Sequence, residues 1–119
     1  MSTFRGPDPK PAKRIKDPKV AKRLHAGRVV CALCGRPGSL HHVYKRTQGG
    51  DDLVENFVGL CGDGVTGHHG RIEHNEVATR ILFGRYLTAK RPDVIRYIQG
   101  KLGEEEGKAW LAHRFYIAL

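Results

Sequence analysis

Long apolar runs are missing from this chain of 119 residues. No segment reaches the roughly 18 consecutive apolar residues that a membrane-crossing helix needs. The first residues, MSTFRGPDPKPAKRIKD, carry charges and prolines where a secretory leader has an apolar stretch, so the expectation is a soluble intracellular protein. Cysteine is scarce and odd in number, at three, which argues against a complete disulfide framework. No internal repeat appears. Acidic residues are few, 12 against 21 Lys and Arg. A mass of 13.3 kDa allows one domain with extensions. So short a chain buries a limited core and gains from a structural metal.

What is present is cation and histidine, unevenly spread. The net charge is +9, of which residues 1–28 hold +7, residues 29–75 hold −1 and residues 76–119 hold +3. A near-neutral middle bracketed by cations suggests a polyanionic partner, most simply nucleic acid. The plainer alternative is a solubilising tail. Four of the seven histidines fall between Leu40 and Gly70 in that middle, as two adjacent pairs, His41-His42 and His68-His69.

Local signals divide the chain. Residues 1–17, with their prolines and charges, read as a flexible basic arm. Asp17 as N-cap, Pro18 in the first turn and Gly27 as the stop predict a short helix, with Val20, Ala21 and Leu24 on one face. Arg28 to Cys31 reads as a short strand, and CALCGRPGS as a tight turn that points two thiolates at one metal. LHHVYKR and VENFVGLC read as two strands of a hairpin, separated by the polar loop TQGGDD. Helices follow: HHGRIEHN; then EVATRILFGRYLTAK, capped by Asn75 and broken near Arg91; then PDVIRYIQGKL up to Gly103; and last EEEGKAWLAHRFYIAL, whose acidic start suits the helix dipole. Trp110, Leu111 and Phe115 read as core.

A structural zinc takes four Cys or His ligands. Cys31 and Cys34 supply two, Cys61 at the end of the second strand a third, and one of His68 or His69 the fourth. The other member of that pair is left at a helix start. On a strand, neighbours point to opposite faces, so His41 and His42 can serve different tasks.

The ordered set CALC, LHHVYKRTQGG, ENFVGLC and GHHGRIE, spanning about residues 28–75, resembles the HNH, or ββα-metal, endonucleases in their zinc-stapled form. The small basic layout with its CGDGVTG loop is similar to phage-encoded members. The resemblance implies an α+β fold: a ββα core with a zinc knuckle, an N-terminal basic arm and helix before it, and C-terminal helices at 76–119 after it, the whole of 18–119 forming one nuclease domain. It implies that Cys31, Cys34, Cys61 and His68 hold zinc. It makes His41 and His69 ligands of a catalytic divalent cation, His42 the general base, and Asn56 the central Asn that steadies the loop and orients the base. The chain departs from the family pattern at His68, where Cys is usual, and at the last ligand position. There Glu73, at i+4 from His69, shares its face of the helix, whereas His74 at i+5 points about 140° away. A carboxylate ligand favours Mg²⁺ or Mn²⁺.

The activity so implied is metal-dependent hydrolysis of DNA phosphodiesters, with Lys45 or Arg46 on the same strand contacting a phosphate. DNA is the implied partner, phage packaging proteins are a further candidate, and the implied setting is the cytoplasm of a bacterial host. Nicking and double-strand cleavage both fit, since one site per chain needs two copies to cut both strands together. The alternative is a catalytically silent zinc module that binds nucleic acid or a protein partner. A redox role for the C-x-x-C has no accompanying βαβ pattern to support it.

Overall fold

Asp17 and Pro18 start the first helix as their chemistry predicts. In the computed structural model, which describes residues 14–119, the Asp17 carboxylate accepts the Lys19 amide at 3.1 Å, and helix α1 runs Pro18–Ala26 and stops at Gly27. Val20 is its buried residue. Of the arm expected over 1–17, residues 1–13 lie outside the described residues, and residues 14–17 are tied down. The Ile15 amide donates to Asp51 Oδ1 at 2.6 Å, and the Asp17 amide donates to Asp52 Oδ2 at 2.9 Å.

The strand expected over Arg28 to Cys31 reduces to a single bridge, Val30 to Pro37. The thiolate turn that follows takes up those backbone groups instead: the Cys31 amide bonds Arg36 O at 2.7 Å, and the Gly35 amide bonds Cys31 O at 2.9 Å. The hairpin is present but short. Strand β1, Ser39–His42, pairs antiparallel with β2, Phe57–Leu60, in the register His42 to Phe57 and Ser39 to Leu60. Contrary to the sequence reading, β1 ends at His42, so Lys45 and Arg46 lie beyond it. The chain bends because Asn56 draws the Tyr44 amide to its side chain at 2.8 Å. Arg46–Gln48 and Val54–Asn56 are single 3-10 turns.

The Gly49-Gly50 pair closes this connection. Gly49 adopts φ +102°, a left-handed conformation that favours glycine. At Gly50 there is no room for a side chain: a Cβ would stand 1.7 Å from the Tyr44 carbonyl oxygen.

Helix α2, Gly67–Glu73, is one short amphipathic element. It is held by Ile72, fully buried in the core. Helix α3, Val77–Lys90, follows directly. Its cap is Glu76, whose carboxylate takes the Thr79 hydroxyl, and not Asn75 as the sequence suggested. Asn75 instead makes the left-handed turn at φ +60° and accepts from Arg114. Helices α4 (Pro92–Leu102) and α5 (Glu104–Phe115) complete the chain. The last helix is shorter than expected: Tyr116 turns left-handed at φ +58°, which tucks Ile117 into the core at 4% exposure.

The chain is therefore α+β, with five helices and one two-stranded sheet among the described residues. Val58, Leu60 and Ile72 meet Phe83, Leu87, Val94, Ile98, Leu111 and Phe115 in one core. Trp110 packs edge-on to Tyr44 and Phe115. Arg91, between α3 and α4, donates to Phe57 O and Val54 O at 3.0 Å each and pairs with Asp93 at 2.9 Å. That guanidinium fixes the helical part to the start of β2.

Candidate metal centres

Three short elements meet at the cysteines. The turn after Val30 presents Cys31 and Cys34, the end of β2 presents Cys61, and the first turn of α2 presents His68. Their ligand atoms all lie within 4.8 Å of one another, a grouping that could hold a metal ion. The internal edges are Cys34 Sγ to Cys61 Sγ at 3.7 Å, Cys31 Sγ to His68 Nδ1 at 3.3 Å and Cys61 Sγ to His68 Nδ1 at 3.4 Å. Donors about 2.0–2.3 Å from a tetrahedral centre stand roughly 3.3–3.8 Å apart, so this set is consistent with zinc. Burial pushes the Cys31 thiol up. The amides around it, with the Cys61, Leu33 and Cys34 backbones foremost, and the His68 ring outweigh that and bring it down to about 6. Cys31 is thus disposed to be a thiolate near neutral pH. The CGDGVTG loop brings His68 back to Cys61. Gly67 sits at φ +68°, where a Cβ would meet Cys61 O at 2.5 Å, and Asp63 Oδ1 accepts the Val65 and Thr66 amides at 2.8 and 2.7 Å.

One residue further along α2, His69 turns to the other side. Its ring meets that of His41 edge-on, with centroids 4.8 Å apart. His41, His69 and Glu73 offer ligand atoms within 4.8 Å of one another, a second grouping that could hold a metal ion. His41 is buried against His69 and Phe83. Burial, with the neighbouring His69 adding to it, lowers His41 to about 3, which keeps its imidazole neutral and its lone pair available. His69 Nδ1 is buried with no hydrogen-bond partner among the described residues. The other ring nitrogen, Nε2, is the one that faces the carboxylate, 3.8 Å from Glu73 Oε1. Burial raises the Glu73 carboxyl, but Lys45, His41 and His69 outweigh it and hold Glu73 below its ordinary range.

The expected residues come together around an open pocket of about 410 Å³, lined in part by His41, His42, Lys45, Arg46, His69 and Glu73. His74 does not join them. It is exposed and ends α2. Lys45 reaches the pocket from beyond the strand, with Nζ 3.2 Å from Glu73 Oε2. His42 lies over Phe57, ring centroids 4.4 Å apart, with Nε2 2.9 Å from Asp52 Oδ1. Burial lowers the His42 pKa, and the Asp52 contact opposes that shift. Asn56 is fully buried. Its Nδ2 donates to Tyr44 O and Asp51 O at 3.0 Å each, and its Oδ1 takes the Tyr44 amide. All three side-chain bonds go to loop backbone, not to the His42 ring.

Asp52 and Arg14 escaped the sequence reading. Asp52 passed as one of several polar loop residues, and Arg14 as one cation among many. The available signal was the adjacent pair Asp51-Asp52, half a hairpin away from the histidines in an otherwise acid-poor chain. No family model, curated protein or solved structure matches this chain.

Proposed function

We propose that this protein is a metal-dependent DNA endonuclease of the HNH type, hydrolysing phosphodiester bonds. The observation that carries the reading is the position of His42. Its ring borders the same pocket as His41, His69 and Glu73, yet it stands outside that ligand group. A neutral imidazole beside a cation site, but not in it, has the chemistry of a general base.

The ligand sets fit two ions. Three thiols and an imidazole at tetrahedral spacing suit a structural zinc, which clamps the hairpin to α2. Two imidazoles and a carboxylate suit a harder divalent cation such as Mg²⁺ or Mn²⁺, which when bound would neutralise a scissile phosphate and stabilise charge on the departing oxygen. The chain's own residues do the rest. His42 takes a proton from a water molecule, and the resulting hydroxide attacks phosphorus. The bond from phosphorus to the opposite ester oxygen breaks, and that oxygen takes a proton from solvent. The products are a phosphate monoester and a hydroxyl end. Lys45 and Arg46 give the pocket mouth a positive potential that suits an incoming phosphate. The exposed cations of α1, Lys19, Lys22 and Arg23, extend that potential along the surface, so binding should weaken steeply with salt.

The test is nicking of supercoiled plasmid in Mg²⁺ or Mn²⁺ by the wild type and by His42→Ala. Cutting by the wild type and its loss in the variant are expected. Equal cutting by both removes His42 from the chemistry. No cutting by a zinc-loaded wild type favours the silent zinc module that binds nucleic acid without hydrolysing it.

A further inference from the structure

We propose that Asp52 is the positioning residue for His42: its Oδ1 accepts the Nε2–H of His42 and leaves the Nδ1 lone pair to receive the proton of the attacking water. This rests on the nuclease reading above. Three observations lead to it.

First, the contact is direct, at 2.9 Å. Second, Asn56 does not do this work. All three of its hydrogen bonds go to the backbone of Tyr44 and Asp51. Asn56 therefore fixes the loop on which Asp52 stands, and Asp52 fixes the ring. Third, Asp52 is itself over-determined. Its carboxylate also accepts from Arg14 Nη2 and from the Asp17 amide, its own amide donates to Ile15 O at 2.9 Å, and Arg14 Nε donates to Gly50 O at 2.7 Å. Residues 14–17 thus form a strap that sets the carboxylate in place, Arg14 sharing Oδ1 with the His42 ring and the Asp17 amide holding Oδ2.

The charge of Asp52 matters as well as its position. When His42 accepts a proton its ring becomes an imidazolium, and a carboxylate on the other ring nitrogen stabilises that cation. A backbone carbonyl in the same place would orient the ring but give less stabilisation. Asp52 thereby acts on the step in which His42 is protonated rather than on DNA binding.

The experiment uses the full chain loaded with zinc. Nitrogen-15 histidine labelling reports the His42 ring, assigned by its disappearance in His42→Ala. A hydrogen-bonded Nε2 proton is expected in the wild type and is expected to be lost in Asp52→Ala. Plasmid cleavage by Asp52→Ala should show kcat lower by about 100-fold with KM within about twofold, the scale of one proton-transfer group. Asp52→Asn, which removes the charge and keeps an acceptor, covers the case in which the alanine variant does not fold, and its kcat should also fall at least tenfold. A wild-type kcat in either folded variant overturns the role of Asp52. A wild type that shows the ring proton but cuts no DNA overturns the nuclease reading instead, and the catalytic role of Asp52 with it.

Discussion

Asn56 grips both backbone polar groups of Tyr44, accepting its amide at 2.8 Å and donating to its carbonyl at 3.0 Å. This pair turns the end of β1 away from the ladder and holds the loop that carries Asp51 and Asp52. Both groups are shielded from water, so neither Tyr44 backbone atom finds another partner easily.

Replacing Asn56 with Ala strands buried donors and acceptors on Tyr44 and Asp51. The expected cost is about 3 kcal/mol of stability, read as a lower urea midpoint at unchanged m-value. Asn56→Asp should be poorer than its similar size suggests, because it presents oxygen to the Tyr44 and Asp51 carbonyls. A midpoint within error of wild type for either variant would sink this account.

The two glycines of the loop should respond differently. Gly50→Ala forces a Cβ onto the Tyr44 carbonyl, and the backbone must shift to admit it. Overpacking at this level costs about 3 kcal/mol. Gly49→Ala incurs the left-handed penalty at φ +102°, about 1–2 kcal/mol. Thermal melts of the two variants side by side check the order.

Cys61 joins the end of β2 to α2 through the shared metal-ligand group. Cys61→Ala is expected to leave a protein that retains little zinc and melts well below wild type. Treating wild-type protein with a strong chelator should reproduce that melt, since binding free energy in such sites is folding free energy. Elemental analysis of purified protein, expected at one tightly held zinc per chain, anchors the comparison. Wild-type zinc content in the variant would remove Cys61 from the ligand set.

Asp51 gives a pH dependence with a definite sign. Burial raises its carboxyl, but the Ile15 amide, the Tyr97 hydroxyl and the Lys101 ammonium outweigh burial and hold it below its ordinary 3.8. A carboxylate depressed by folding contributes stability that is complete above its unfolded pKa, near 4. That contribution is lost as pH falls through the lower, folded value. The urea midpoint should therefore be level with respect to this group above about pH 5 and fall in acid. Asp51→Asn should lower the level part and flatten the acid slope. Some slope should remain, because Asp52 is depressed in the same direction by His42, the Asp17 amide and Arg14 against its own burial. An unchanged slope in the variant would assign the acid loss elsewhere.

Much of this architecture is legible in the amino-acid order, for identifiable reasons. The cap at Asp17, the break before Pro92 and the stop at Gly103 are local chemistry, and α1 and α4 appear where that chemistry puts them. The ligand groupings were legible because three thiols and two histidine pairs recur in one short stretch, in an order that resembles a known family. Less was visible where tertiary contacts overrode local pattern. Val43 and Tyr44 look like strand continuation, yet Asn56 takes the Val43 amide on its backbone carbonyl and the Tyr44 amide on its side chain, and the strand ends there. Residues 28–31 have strand-favouring valines but form only the Val30 to Pro37 bridge, since the knuckle turn takes the Cys31 amide and the bond to β2 runs from the Ala32 amide to Gly59 O. Asn75 looks like a cap and is a left-handed turn, because Arg114 and the preceding helix close on it. Asp52 could not be told from any other loop acid, since its meaning depends on a strap more than thirty residues earlier.

His68 and His69 are consecutive, and the two ligand groups lie on either side of the peptide bond between them. One inserted residue at that junction would turn the rest of α2 by about 100° relative to the knuckle, taking His69 and Glu73 out of reach of His41 together. The chain thus has no length tolerance at this point. The neighbouring segment 63–65, with its exposed Asp63, Gly64 and Val65, is where lengthening could be absorbed without parting the two groups.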